Sequence, residues 1–104
     1  MIYFTDIHNR KIRLTPERKK HIEEDHPEMR DQFDNIKYTL SQPEVIIRSK
    51  TDETVELFFR YYKRTPVSEK YLCVVVKNLD EDLFIITAYF TDSLKRGEVL
   101  WKRQ

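Results

Sequence analysis

The segment His21-Ile22-Glu23-Glu24-Asp25-His26-Pro27-Glu28 is the most suggestive stretch of the chain for chemistry. Histidine is the side chain whose ordinary pKa lets it give and take protons near neutral pH, and carboxylates beside it tune that exchange. On one regular helix, residues five apart point roughly 140° away from each other, so His21 and His26 could not easily serve one site unless Pro27 breaks the helix between them. His21 and Asp25 stand four apart and can hydrogen-bond on one face, although such a pair is more often a surface ion pair than an active one.

Other chemistries lack their residues. His21, Asp25 and His26 offer metal-ligating atoms, but the chain has no HExxH, no paired cysteines and no EF-hand loop, so neither a metal nor another cofactor is expected. Its single glycine, Gly97, cannot build a phosphate-cradling loop or a dinucleotide fingerprint. There is no Gly-x-Ser-x-Gly elbow, and the single cysteine, Cys73, lies in the apolar run Tyr71-Leu72-Cys73-Val74-Val75-Val76, the setting of a buried, inert thiol. What remains is acid–base chemistry on a phosphodiester whose own 2′-hydroxyl is the nucleophile. That reaction requires a base, a cation for charge developing on phosphate, and an acid for the leaving oxygen. His26, Arg60 and a tyrosine are the residue types it requires.

The elements that would hold these groups are legible. Residues 1–14 alternate and carry a turn at His8-Asn9-Arg10, which predicts a short hairpin or two edge strands. Thr15-Pro16-Glu17 is a helix start: an N-cap, a proline suited to the first turn, and an acid at the positive end of the dipole. The helix should run to about Asp25, and a second should begin at Pro27. Ile22, His26, Met29, Phe33, Ile36 and Leu40 recur every three or four residues, a stripe for packing on a sheet in which His26 is the only polar member. A lone histidine there is commonly a structural residue; catalysis is the alternative.

Four strand-like runs follow, Glu44–Lys50, Thr54–Arg64, Lys70–Lys77 and Leu83–Thr91, separated by short polar turns. Connections that short predict an antiparallel meander. The expected fold is therefore α+β: an N-terminal hairpin and two helices packed on a four-stranded antiparallel meander sheet, as one domain over residues 1–104. In the second run Val55, Leu57, Phe59 and Tyr61 are expected against the helices. In the fourth, Phe84, Ile86, Ala88 and Phe90 take that role. Arg60, Tyr62, Thr87, Tyr89 and Thr91, with Arg48, would then share the uncovered face, a composition suited to phosphate contacts and ring stacking, although ordinary exposed sheets also carry threonine and arginine. The tail Val99-Leu100-Trp101 is expected to fold back and fix Lys95 and Arg96 beside Tyr89 and Thr91.

With 39% hydrophobic and 36% charged residues the chain is globular rather than disordered. Its net charge of +1 gives no global argument for a polyanionic partner. No apolar run approaches a membrane span, and the start lacks the layout of a signal peptide, so a cytoplasmic protein with no membrane partner is expected.

Leu14-Thr15-Pro16-Glu17, His21-Ile22, His26-Pro27-Glu28, Phe59-Arg60-Tyr61-Tyr62-Lys63, Tyr71 to Lys77, and Ile86-Thr87-Ala88-Tyr89-Phe90-Thr91-Asp92 with Lys95 and Gly97 resemble the phage- and toxin-associated nuclease-like domains grouped with barnase, EndoU, colicin tRNases and RelE-type toxins (the BECR fold). The resemblance covers roughly residues 14–101. It implies a hydrolase-like endoribonuclease that cleaves RNA to a 2′,3′-cyclic phosphate without metal. By position it points to His26, Arg60, Tyr89 and Thr91 as catalytic residues; the reading of the residues themselves adds His21, Arg48, Tyr62 and Lys95 as expected substrate contacts. The partners it implies are RNA (tRNA or mRNA) and, for a toxin, a cognate inhibitor protein. The alternative is a catalytically inactive RNA- or protein-binding module of the same fold. A monomer, or a weak homodimer paired through the edge of the first hairpin, is expected.

Overall fold

Asp6 sets the first turn of the chain. Its carboxylate accepts hydrogen bonds from the His8 and Arg10 amides at 3.0 and 2.8 Å, and Asn9 takes the left-handed conformation the turn needs. The strands on either side, β1 (Ile2–Thr5) and β2 (Lys11–Leu14), form the expected hairpin. These relationships come from a computed structural model describing residues 1–104.

Thr15 caps helix α1 (Pro16–Asp25) by accepting from the Arg18 amide at 3.1 Å. The expected second helix does not begin at Pro27. Pro27–Met29 make a single 3₁₀ turn, Asp31 adopts a left-handed conformation, and helix α2 (Phe33–Ser41) starts two residues later. The non-helical backbone of His26 before the proline and the positive φ of Asp31 both prevent a continuous helix. The stripe survives the break, because Ile22, Met29, Ile36 and Leu40 are all buried in one core.

The four predicted runs become β3 (Val45–Arg48), β4 (Val55–Tyr62), β5 (Lys70–Leu79) and β6 (Asp82–Thr91). The sheet is larger than a four-stranded meander. It has seven strands in the order β1-β2-β6-β5-β4-β3-β7, with β7 spanning Val99–Lys102. The hairpin joins through a parallel pairing of β2 with β6, and β7 joins antiparallel to β3. The parallel contact is short: Ile12 faces Leu83 and Arg13 faces Phe84, after which β6 has no strand on that side.

Apolar residues are buried on both faces. Phe58, Leu72, Val74, Val76, Ile85 and Ala88 join Phe4, Ile12 and the helix residues in the larger core. On the opposite face, Val45, Ile47, Val55, Leu57, Phe59 and Cys73 form a second buried cluster. The face assignment of β4 is therefore the reverse of the expectation. Val55, Leu57 and Phe59 lie away from the helices, whereas Phe58, Arg60 and Tyr62 lie on the helix side. A central strand is apolar in both registers, so alternation alone could not say which side the helices cover. In β6 the cause is a bulge. Val75 pairs with Thr87 and Val76 with Ile85, leaving Ile86 extra, so Ile85 and Ala88 share the helix face while Ile86 packs with the second cluster.

Residues 92–98 link β6 to β7. Seven extended residues reach roughly 23 Å, against about 19 Å for the four strand spacings to be crossed. The segment passes over the second face, where Lys95 and Arg96 meet Val55, Leu57, Val75 and Tyr89 around one groove. Gly97 explains how it descends so closely at its far end. A Cβ there would lie 2.3 Å from the Arg48 carbonyl oxygen and 2.7 Å from an Ile47 methyl. Arg48 completes the anchor: its amide donates to the Glu98 carbonyl at 2.8 Å and its Nε to the Glu98 carboxylate at 2.9 Å. No helix is long and apolar enough to cross a membrane.

Candidate functional site

The groove under residues 92–98 has a volume of about 590 Å³. Its floor is Val55, Leu57, Val75, Thr87 and Tyr89, and its walls are the Ser49–Asp52 turn on one side and Lys95 and Arg96 on the other. Lys50, Lys95 and Arg96 are exposed and bring three positive charges to a largely apolar floor. Asp52 at the rim is already engaged, bonded to Lys77 at 2.5 Å and to the Thr54 hydroxyl at 2.6 Å, and these bonds lower its pKa to about 2.

Tyr89 joins this groove to the helix layer. Strand pairing sets it opposite Cys73, and its ring lies 5.7 Å from the imidazole of His26, with the planes tilted by 34°. His26 arrives there because Pro27 ends α1 at the bare part of the β6 edge. The helix terminus can reach around that edge where no strand is paired. The imidazole is 34% exposed, with Nδ1 3.6 Å from the Glu28 carboxylate, longer than a hydrogen bond but close enough for attraction. Burial, and then the neighbouring Cys73 thiol, push the Tyr89 pKa well above the ordinary phenol range. Tyr89 is thus a neutral hydrogen-bond donor at physiological pH. Burial also pushes the Cys73 thiol up, to about 12, so the sulfur under the tyrosine is protonated and inert.

The eight residues singled out in the sequence separate into two groups. Tyr89 and Lys95 line the groove, His26 reaches it through its contact with the Tyr89 ring, and Thr91 is one step further along the same face of β6, its hydroxyl near the Ser93 backbone. The other four lie elsewhere. Arg60 is on the helix face, where Nη1 donates to the Gln42 carbonyl at 2.6 Å and the guanidinium lies 4.5 Å over the Tyr38 ring. Tyr62 is beside it, its hydroxyl 2.9 Å from that of Thr39 and donating to the Asn35 carbonyl at 3.0 Å. Arg48 is engaged with Glu98 and the Glu53 carbonyl, and His21 is exposed on the outside of α1 with no hydrogen bond to Asp25. Arg96, Thr87 and Lys50 also line the groove. Lys50 lies in a turn whose sequence carries no motif, and only the folded chain brings it to the site.

Residues 2–102 match the model of the family described as phage-Barnase-EndoU-ColicinE5/D-RelE like nuclease2. The chain belongs to this family. No curated protein and no solved structure gives a match. Membership identifies a nuclease-like domain, and its extent includes both the hairpin and β7, the outer strands of the sheet.

Proposed function

We propose that this nuclease-like domain is an endoribonuclease that uses the substrate's own 2′-hydroxyl as nucleophile. The observation that carries the reading is the junction of His26 with Tyr89 at a groove lined by Lys95 and Arg96. An unpaired nucleotide enters over Tyr89. His26 removes the 2′-hydroxyl proton through Nε2, with Glu28 beside Nδ1 stabilising the imidazolium that forms. The 2′-oxygen bonds to phosphorus, the bond from phosphorus to the 5′-oxygen breaks, and the leaving oxygen takes a proton from water at the open end of the groove. Lys95 and Arg96 face the charge that builds on the phosphate, and the Tyr89 hydroxyl supplies a neutral donor. The products are a 2′,3′-cyclic phosphate and a 5′-hydroxyl.

Such an activity would harm the cell that makes it, and a cognate inhibitor protein is the partner it would then require. The nucleophile can be tested directly. RNA of mixed sequence should be cleaved in EDTA with cyclic-phosphate ends, and DNA of the same sequence should remain intact. Equal cleavage of both would contradict the reading.

A further inference from the structure

Two tyrosines that the proposed reaction does not use stand next to the groove. Tyr61 of β4 and Tyr71 of β5 pair across the strands on the face of the second cluster, with ring centroids 5.3 Å apart at an edge-on 72°. Tyr71 is opposite Thr91, two residues along the strands from the rung Phe59-Cys73-Tyr89, which places the pair roughly 7 Å from Tyr89's rung. Tyr61 is 37% exposed.

Neighbouring carboxylates engage the backbone and the hydroxyl of Tyr61. The Tyr61 amide donates to the Glu44 carboxylate at 2.7 Å, and Glu69 lies against the Tyr61 hydroxyl and raises its pKa. Just beyond it the chain turns through Lys63 and Arg64, both exposed and without a salt bridge. Adjacent rings beside uncommitted cations are what an unpaired polynucleotide strand requires: a stacking surface for a base and positive charge along its phosphates.

We propose that Tyr61 and Tyr71, with Lys63 and Arg64, form a second nucleotide subsite that extends the groove along single-stranded RNA. This rests on the reading of the groove as an RNA site. A nucleotide at Tyr89 would continue toward Thr91 and stack its neighbour on the tyrosine pair, with the flanking phosphate at the Lys63-Arg64 turn. The subsite adds length dependence, and a substrate too short to reach it gains nothing from it.

The test measures binding, independently of cleavage, with fluorescent 2′-O-methyl RNA that cannot be cut. Wild-type protein should bind a hexanucleotide more tightly than a dinucleotide. Tyr61→Ala/Tyr71→Ala should weaken the hexanucleotide roughly tenfold while leaving the dinucleotide unchanged, and Tyr61→Phe/Tyr71→Phe should restore the affinity. Lys63→Ala/Arg64→Ala should reduce the slope of log affinity against log salt by roughly 0.7, the contribution of one single-strand phosphate, and the tyrosine variants should not. The proposal is overturned if the wild type shows no preference for length, if the alanine pair leaves hexanucleotide affinity intact, or if both lengths weaken equally. An unchanged salt slope overturns the role of the turn. Cleavage of RNA alongside a failed binding test would reject the subsite and leave the nuclease reading standing.

Discussion

His26 and Tyr89 meet ring to ring at 5.7 Å although one ends a helix on one side of the sheet and the other projects from a strand onto the opposite side. The contact exists because β2 covers β6 only at Leu83 and Phe84, leaving an edge around which the end of α1 can reach. A helix–sheet domain with full strand pairing would separate these two groups by the thickness of the sheet.

The first prediction separates the two contributions of Tyr89. Tyr89→Phe keeps the ring against His26 and loses only the hydroxyl, so kcat on RNA should fall by about tenfold, the worth of one hydrogen bond. Tyr89→Ala removes the surface that positions the imidazole and should cost considerably more, with KM changing less than kcat. Equal losses in the two variants would show that ring packing contributes nothing.

Gly97→Ala should displace the connection that carries Lys95 and Arg96, because the added Cβ would sit 2.3 Å from backbone oxygen. Relief requires a backbone shift, and the expected cost is about 1–3 kcal/mol with a lower Tm. Cleavage per folded molecule should fall as well. A variant with wild-type melting and activity would refute the close approach.

Arg60→Ala is expected to change stability and not turnover. Its guanidinium is committed to the Gln42 carbonyl and the Tyr38 ring on the helix side, contacts worth about 1–2 kcal/mol together. Thermal melts should show the loss, while kcat/KM at a temperature where the variant is folded should remain within about twofold. A hundredfold loss of activity without destabilisation would place Arg60 in the chemistry after all.

Acid should destabilise the fold through carboxylates held ionised. Burial disfavours the charge of Glu56, but Arg10, bonded to it at 2.7 Å, and then Asn78 outweigh that cost and lower its pKa; Asp52 is lowered to about 2. The stability these groups contribute is complete above their unfolded pKa of roughly 4 and is lost as pH falls through the folded values. Tm should therefore decline between about pH 4 and pH 2. Glu56→Gln should make that decline shallower, and an unchanged acid limb would contradict the assignment.

Much of this architecture was legible because local chemistry dictates it. Thr15-Pro16-Glu17 fixes the start of α1, Asp6 and Asn9 fix the hairpin, and β-branched runs fix β3 and the three long strands. The pairing of the hairpin with β6 was not legible, because parallel contacts join residues some seventy positions apart and leave no local pattern. The faces of β4 were read in reverse for a related reason. Glu56, Arg60 and Tyr62 look like solvent-facing residues, but Arg10, Gln42 and Thr39 satisfy them from other elements. Within the site, His26 stood out as the polar member of an apolar stripe, and Tyr89 with Lys95 followed from the strand end and the basic tail. Tyr61 was hidden by the same reversal of faces, and no face was read for Tyr71.

The most direct test is incubation of total RNA and purified tRNA with the protein in EDTA, beside His26→Ala prepared identically and shown to be folded. Cleavage by the wild type that exceeds the variant by at least about a hundredfold, the contribution expected of a general base, is the predicted result. No cleavage by the wild type beyond that of His26→Ala would contradict the catalytic assignment.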